Sequence, residues 1–270
     1  MRASPRIVKM RGGLGNQLFC LAFAHAVSRI VHEPVVLDIA SYASDRYGRS
    51  FLLSELAERL GIGVIRRRWL SSRLAPIIMR RMPGRGYVCE GLPPPDGAGL
   101  KALITGGVYF NGYWQDEAYF PGARAFREAA RAFLRDRGAG AAAAETVIHL
   151  RTYKEEIRSA RRAIPKPAYF QYCVETLEAE AGRALAINLI SDDPAVALDS
   201  IGDLAGRVRV ARSGDLWEDM ALMLAARALI LTNSSFSWWG GYCGEAGRIF
   251  YPARGVLAHY PQPARRFMVV

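Results

Sequence analysis

Residues 6–10, Arg-Ile-Val-Lys-Met, read as a short strand that runs straight into Arg11-Gly12-Gly13-Leu14-Gly15, after which Asn16 to Val31 has the apolar spacing of a helix. A strand, a glycine turn and a helix in direct succession form a βα unit. Such units recur along the chain, and repeated βα units bury their apolar faces as largely parallel sheets covered by helices. Pro34 to Ile39 is the next expected strand and Leu52 to Leu60 a helix. A Pro/Gly cluster at 93–99 reads as a loop, Ile104 to Trp114 as a strand region, and Asp116 to Phe120 as a short helix.

Gly138 to Ala144, built only of glycine and alanine, is the clearest break in composition and the expected linker between two domains, residues 1–140 and 141–270. The alternation then resumes. Strands are expected at Thr146–Leu150, Ala186–Ile190, Val208–Val210 and Ala228–Leu231, with helices at Lys166–Ala181, Asp215–Ala226 and Phe236–Glu245. A chain of 270 residues, 51% hydrophobic, is long enough for a core in each half.

Four constellations in this framework carry chemistry. In Gly12-Gly13-Leu14-Gly15-Asn16-Gln17 the glycines let the backbone approach a ligand closely and the following helix N-terminus favours phosphate; the same residues also serve as a tight βα turn. Leu18 stands where the dinucleotide fingerprint needs its third glycine. In Val147-Ile148-His149-Leu150-Arg151 a buried strand delivers His149 and Arg151, two residues apart and so on one face, to the edge where open α/β sheets bind ligands. An arginine there can grip a diphosphate through paired donors.

In Ser191-Asp192-Asp193-Pro194 the carboxylates either cap the next helix or accept the N1 and N2 hydrogens of guanine. In Thr232-Asn233-Ser234-Ser235-Phe236-Ser237-Trp238-Trp239-Gly240 hydroxyls gather at a helix start, whose open amides make a phosphate cradle, and a tryptophan packs inward.

Taken in order, these segments resemble glycosyltransferase family 11, the α-1,2-fucosyltransferases, as does Phe110-Asn-Gly112-Tyr-Trp-Gln115-Asp-Glu-Ala-Tyr119-Phe120. The resemblance implies an α/β GT-B fold, two Rossmann-like domains with the active site in the interdomain cleft. It implies a GDP-fucose donor and a glycan acceptor, usually a galactoside, with Arg151 on the β-phosphate, Asp192 or Asp193 on guanine, and Ser234 to Ser237 on the phosphates. Gly13, Gly15, His149 and Phe236 join the donor site, and Asn16 lies near the donor sugar. The family usually writes His-x-Arg-Arg-x-Asp, whereas this chain has His149-Leu-Arg151-Thr152-Tyr153-Lys154. The second arginine and the acid are absent, so Glu155 or Glu156, just beyond, is the expected general base. The resemblance implies an inverting transfer, and since no DxD motif occurs in the sequence, no metal or other cofactor is expected. Transfer of another sugar, or binding of a nucleotide sugar or glycan without turnover, are the alternative functions.

Charge adds partners to this reading. There are 36 basic and 25 acidic residues, a net of +11, and positive surface draws a protein toward anionic nucleotide sugars and acidic leaflets. The basic residues are scattered, which argues against nucleic acid. Arg66 to Arg81, basic with apolar residues between, is either a solvated face over a buried one or a peripheral contact with the inner leaflet, where a lipid-linked acceptor would lie. The basic N-terminus leads into a strand rather than an apolar signal segment, and the four cysteines form no disulfide or zinc spacing, so a cytoplasmic location is expected.

Overall fold

A computed structural model of the chain describes residues 5–66, 86–91, 94–138, 144–152, 164–211, 214–253 and 267–270. The chain divides into two compact units, residues 1–130 and 131–270. The division falls inside a helix, Arg124–Arg137, and so precedes the glycine–alanine run read as the linker. Residues 139–143 of that run, and residues 67–81 of the basic segment, lie outside the described residues.

The first unit contains β1 (Arg6–Lys9), α1 (Leu14–Val31), β2 (Val35–Asp38), α2 (Ser54–Arg59), β3 (Gly63–Ile65), β4 (Tyr87–Cys89), α3 (Gly97–Gly106) and β5 (Tyr109–Asn111). Its five strands are all parallel, in the order β3-β2-β1-β5-β4. Helix α1 is long and apolar enough to cross a membrane, yet 67% of it is buried within the protein. Its Phe23 stacks on Trp114, with ring centroids 4.0 Å apart, and meets Phe110 and Tyr119 edge-on. The expected strand region from Ile104 is corrected here. Asp96 caps a helix by accepting the Gly99 N–H at 2.7 Å, and α3 continues to Gly106, leaving only Tyr109–Asn111 as strand.

The second unit follows α4 (Arg124–Arg137) with β6 (Thr146–Leu150), α5 (Pro167–Ala181), β7 (Ile187–Ser191), α6 (Pro194–Ser200), β8 (Val208–Val210), α7 (Leu216–Ala225), β9 (Ala228–Leu231), α8 (Ser235–Cys243), β10 (Arg248–Tyr251) and β11 (Phe267–Val269). Prolines open α5 and α6 at the one turn where a missing N–H costs nothing. All six strands are parallel, in the order β11-β10-β9-β6-β7-β8. From β6 the chain lays β7 and β8 on one side, then returns to lay β9, β10 and β11 on the other. That is the doubly wound order of dinucleotide-binding sheets, with its reversal between β6 and β9. Both central strands are buried along their whole length, β9 as an unbroken apolar run and β6 with Thr146 and His149 among its apolar residues. The two-Rossmann, α/β expectation is thus met unit by unit.

Candidate functional site

The crevice outside the carboxyl ends of β6 and β9 is the topological switch point of the second unit, the place where such sheets bind ligands. The chain leaves β6 through Arg151 and Thr152. The Arg151 N–H donates to Thr232 Oγ1 at 3.0 Å, and the Thr232 N–H donates to the His149 carbonyl at 3.1 Å, so the two strand exits are tied together. Tyr169 Oη holds the end of β9 by donating to the Leu231 carbonyl at 2.8 Å. On the β7 side Asp192 clamps the same exit: its Oδ1 accepts the Thr152 N–H at 2.7 Å and its Oδ2 stands 3.3 Å from Arg151 Nη1. Asp193 caps α6, with Oδ1 accepting the Val196 N–H at 3.4 Å, so the capping reading holds for this residue.

His149 is 5% exposed at the carboxyl end of β6, its ring centroid 5.6 Å from that of Phe236, and its buried Nδ1 has no hydrogen-bond partner. Burial, reinforced by the Arg151 charge, lowers its pKa to about 4, so the imidazole is neutral at physiological pH. Helix α8 begins beside it. Ser234 is the N-cap residue but makes no side-chain capping bond, and the first intrahelical bond runs from Trp238 N–H to the Ser234 carbonyl. Ser237 differs from expectation: it is fully buried and its hydroxyl donates to the Ser234 carbonyl at 3.2 Å. Ser234 and Ser235 therefore form the polar tip, while Ser237 braces the turn. Trp238 and Trp239 are core residues. Gly240 serves helix packing, since a Cβ there would lie 2.9 Å from Met223 Cβ on α7.

The first unit has its own switch point between β1 and β5, and Asn16 lies on that edge. Gly12 adopts φ +80°, and a Cβ on it would come within 2.6 Å of Asn16 Nδ2. Its carbonyl accepts from Gln17 Nε2 and from Tyr42 Oη, both at 3.1 Å. Gln17, fully buried, also reaches the Ser50 carbonyl and the Leu52 N–H, pinning the glycine turn to the 50–52 loop. Gly13 is the N-cap of α1 with φ −76°, and nothing lies within 4 Å of where its Cβ would be. Gly15 is buried within α1. Asn16 Oδ1 accepts from Gln115 Nε2 at 2.6 Å, and the Arg11 guanidinium sits 4.2 Å over the Tyr113 ring.

Within the second unit, then, His149, Arg151, Asp192, Asp193, Ser234, Ser235 and Phe236 lie on the β6, β7 and β9 exits. Gly13, Gly15 and Asn16 belong to the first unit. Glu155 and Glu156 lie outside the described residues. The sequence reading did not single out Gln17, Tyr42, Tyr169 or Thr232 as supports; a glutamine on the apolar face of α1 was the one available signal. Among the described residues no group of three or more His, Cys, Asp or Glu is placed to hold a metal ion.

The sequence model described as glycosyl transferase family 11 matches residues 102–253. Among solved structures the chain is similar to the fucosyltransferase NodZ from Bradyrhizobium, at 15% identity over 92% of this chain and 95% of that one, with a TM-score of 0.48. It is also similar to POFUT1 in complex with GDP-fucose, at 15% identity over 92% and 98% with a TM-score of 0.45. A third likeness is to the ADP-heptose lipopolysaccharide heptosyltransferase II of E. coli, at 12% identity over 98% and 90% with a TM-score of 0.49. No curated protein matches the chain.

Proposed function

We propose, since this chain belongs to glycosyl transferase family 11, that it transfers fucose from GDP-fucose to a hydroxyl of a glycan, with inversion and without a metal. The supporting observation is the switch point at β6 and β9, where Arg151 and the Ser234–Ser235 tip of α8 share one sheet edge. In this reading the diphosphate takes the amides at the start of α8, and Arg151 bears the charge that develops on the β-phosphate as the glycosidic C–O bond breaks. Asp192 keeps the guanidinium in place. Guanine is read by the Asp192-Asp193 turn, and a carboxylate has about four lone-pair sites, so capping α6 does not exhaust Asp193. By the family resemblance, Asn16 and Gly13 are the first unit's candidates for contact with the donor sugar. Glu155 or Glu156 takes the proton of the acceptor hydroxyl, the 2-OH of a galactoside in a bacterial polysaccharide or lipopolysaccharide precursor at the cytoplasmic face.

A thermal-shift panel tests the donor class, because a ligand that binds only the folded state stabilises it by about 2.7 kcal/mol at a hundred times its Kd. GDP and GDP-fucose are expected to raise Tm and UDP to leave it unchanged. A UDP shift, or none with any guanine nucleotide, rejects the proposal. Thr152 favours a second reading: it is buried where the family writes its second arginine, which suits a relative that binds the donor without turnover. GDP binding without fucose release or transfer would select that reading.

A further inference from the structure

Lys9 is the last residue of β1, and Arg11 follows it by two positions, the spacing that puts two side chains on one face. They stand at the carboxyl end of β1, on the switch point of the first unit between β1 and β5. The backbone there is pinned. Ser41 Oγ donates to the Met10 carbonyl, and Tyr42 Oη and Gln17 Nε2 both donate to the Gly12 carbonyl at 3.1 Å, so Arg11 sits between two held peptide groups. Its guanidinium lies 4.2 Å over the Tyr113 ring, which fixes the plane of the fork.

These two cations have no counterion in contact. Both are half-buried, and among the described residues neither side chain makes a hydrogen bond or an ion pair; Arg11 Nε is buried with no partner. Two carboxylates stand nearby, engaged elsewhere. Asp38, opposite Lys9 in the sheet, accepts the Ala40 N–H on Oδ1 at 3.0 Å and the Tyr109 hydroxyl on Oδ2 at 3.1 Å. Glu90 accepts the Tyr113 and Gln115 N–H groups. Burial, and then the Arg11 charge, hold the Lys9 pKa below the usual lysine range against the opposing pull of Asp38. The folded chain thus carries Lys9 as a charge at a cost in stability. Space for a ligand adjoins the pair, since nothing lies within 4 Å of where a Gly13 Cβ would be, and the first turn of α1 holds no acidic residue.

We infer that Lys9 and Arg11 form an oxyanion site within the first unit, which takes an acidic group of the acceptor glycan, a phosphate ester or a uronate carboxylate. The planar fork of Arg11 matches two oxygens of either group, and Lys9 adds a point charge beside it. The fucosyl-transfer reading is needed only to call this ligand the acceptor: that reading gives the donor diphosphate to the β6 and β9 edge of the second unit, which leaves this site to the other substrate.

The test uses the full chain with saturating GDP and measures Tm and calorimetric Kd for galactose 6-phosphate, galacturonate and galactose at matched ionic strength. Both acidic sugars are expected to raise Tm, and galactose to leave it unchanged. Arg11→Gln and Lys9→Met are each expected to raise the Kd of the acidic sugars roughly ten- to a hundredfold, the range of a charged hydrogen bond, with GDP affinity kept. Lys9→Met is also expected to raise Tm of the unliganded protein, because it removes a buried charge that only a ligand offsets; a lysine that served the fold through Asp38 would give the opposite sign. Equal binding of galactose and the acidic sugars, binding of acidic sugars that both variants retain, a lower unliganded Tm in Lys9→Met, or a loss of GDP affinity in Arg11→Gln overturns the inference. Should Arg11→Gln fold poorly, Lys9→Met carries the same comparison. Absence of GDP binding by the unaltered chain strikes the functional reading alone, because binding of the acidic sugars is read without it.

Discussion

Arg151 Nη1 lies 3.3 Å from Asp192 Oδ2, while the other oxygen of that carboxylate accepts the N–H of Thr152. One acid thus fixes both the backbone that leaves β6 and the guanidinium that the same backbone carries. The pair is partly exposed, with side chains 29% and 18% accessible, so its worth lies in orientation more than in stability.

Arg151→Ala is expected to lower kcat by about 10²–10³, the cost of removing a donor from a developing anion. Asp192→Asn keeps an acceptor for Thr152 but loses the charge and one acceptor oxygen, so its effect on kcat is smaller, and any loss of guanine contact shows separately as a raised donor KM. Steady-state transfer rates for both, and for the double variant, show whether the acid works through the arginine: the pair then behaves like Arg151→Ala.

His149 gives the fold an acid limit. Its pKa is lowered to about 4, chiefly by burial and then by Arg151, against about 6.5 in an unfolded chain. Between those values the unfolded state binds the proton and the folded state does not, so stability is complete above about 6.5, falls as pH drops toward 4, and falls no further on this account below it. His149→Phe is expected to show a shallower acid-side loss in denaturant titrations between pH 7.5 and 4.5, by up to about 3 kcal/mol. Parallel curves for the two proteins would show that the imidazole is not held neutral.

Gly12 and Gly13 are adjacent and opposite in demand. Gly12→Ala meets both a positive φ and the Asn16 side chain, and is expected to cost about 1–3 kcal/mol. Gly13→Ala meets nothing, so its Tm is expected to match wild type. A drop in activity in Gly13→Ala with unchanged Tm would mark that open space as occupied by substrate.

The serines of α8 separate in the same way. Ser237→Ala removes a buried hydroxyl that bonds the Ser234 carbonyl and is expected to lower stability by about 1 kcal/mol. Ser235→Ala is expected to weaken GDP binding in calorimetry while leaving Tm of the unliganded protein near wild type.

Activity is expected to persist in excess EDTA, with the diphosphate charge carried by Arg151 and helix amides. Loss on chelation that manganese restores would reject this.

Much of the second unit was legible because its central strands announce themselves: Thr146–Leu150 and Ala228–Leu231 are short, mainly apolar stretches with polar residues just beyond, and those polar residues mark the carboxyl ends of the strands. The first unit was harder. β3 and β4 have three residues each, none of them buried, too short for a period-two pattern. The helix over 97–106 was obscured by its three glycines and a proline-rich approach, and only the Asp96 cap betrays it. Helix α4 was readable in principle, from Phe126, Ala130, Phe133 and Leu134 on one face. The burial of Ser237 was not legible because hydroxyl type says nothing of which way a first-turn side chain points. Glu90 was illegible: nothing local signals that its carboxylate accepts the Tyr113 and Gln115 N–H groups on either side of Trp114, whose φ is +56°.

Neighbours in the sheet need not be neighbours in synthesis. β6 is laid down first in the second unit, but its partner at the switch point, β9, follows only after α5, β7, α6, β8 and α7. A chain still on the ribosome therefore holds half a crevice until Cys243, the last residue of α8, has left the exit tunnel. The two sides of the strand reversal therefore meet only when the crossover from β8 through α7 to β9 has been made.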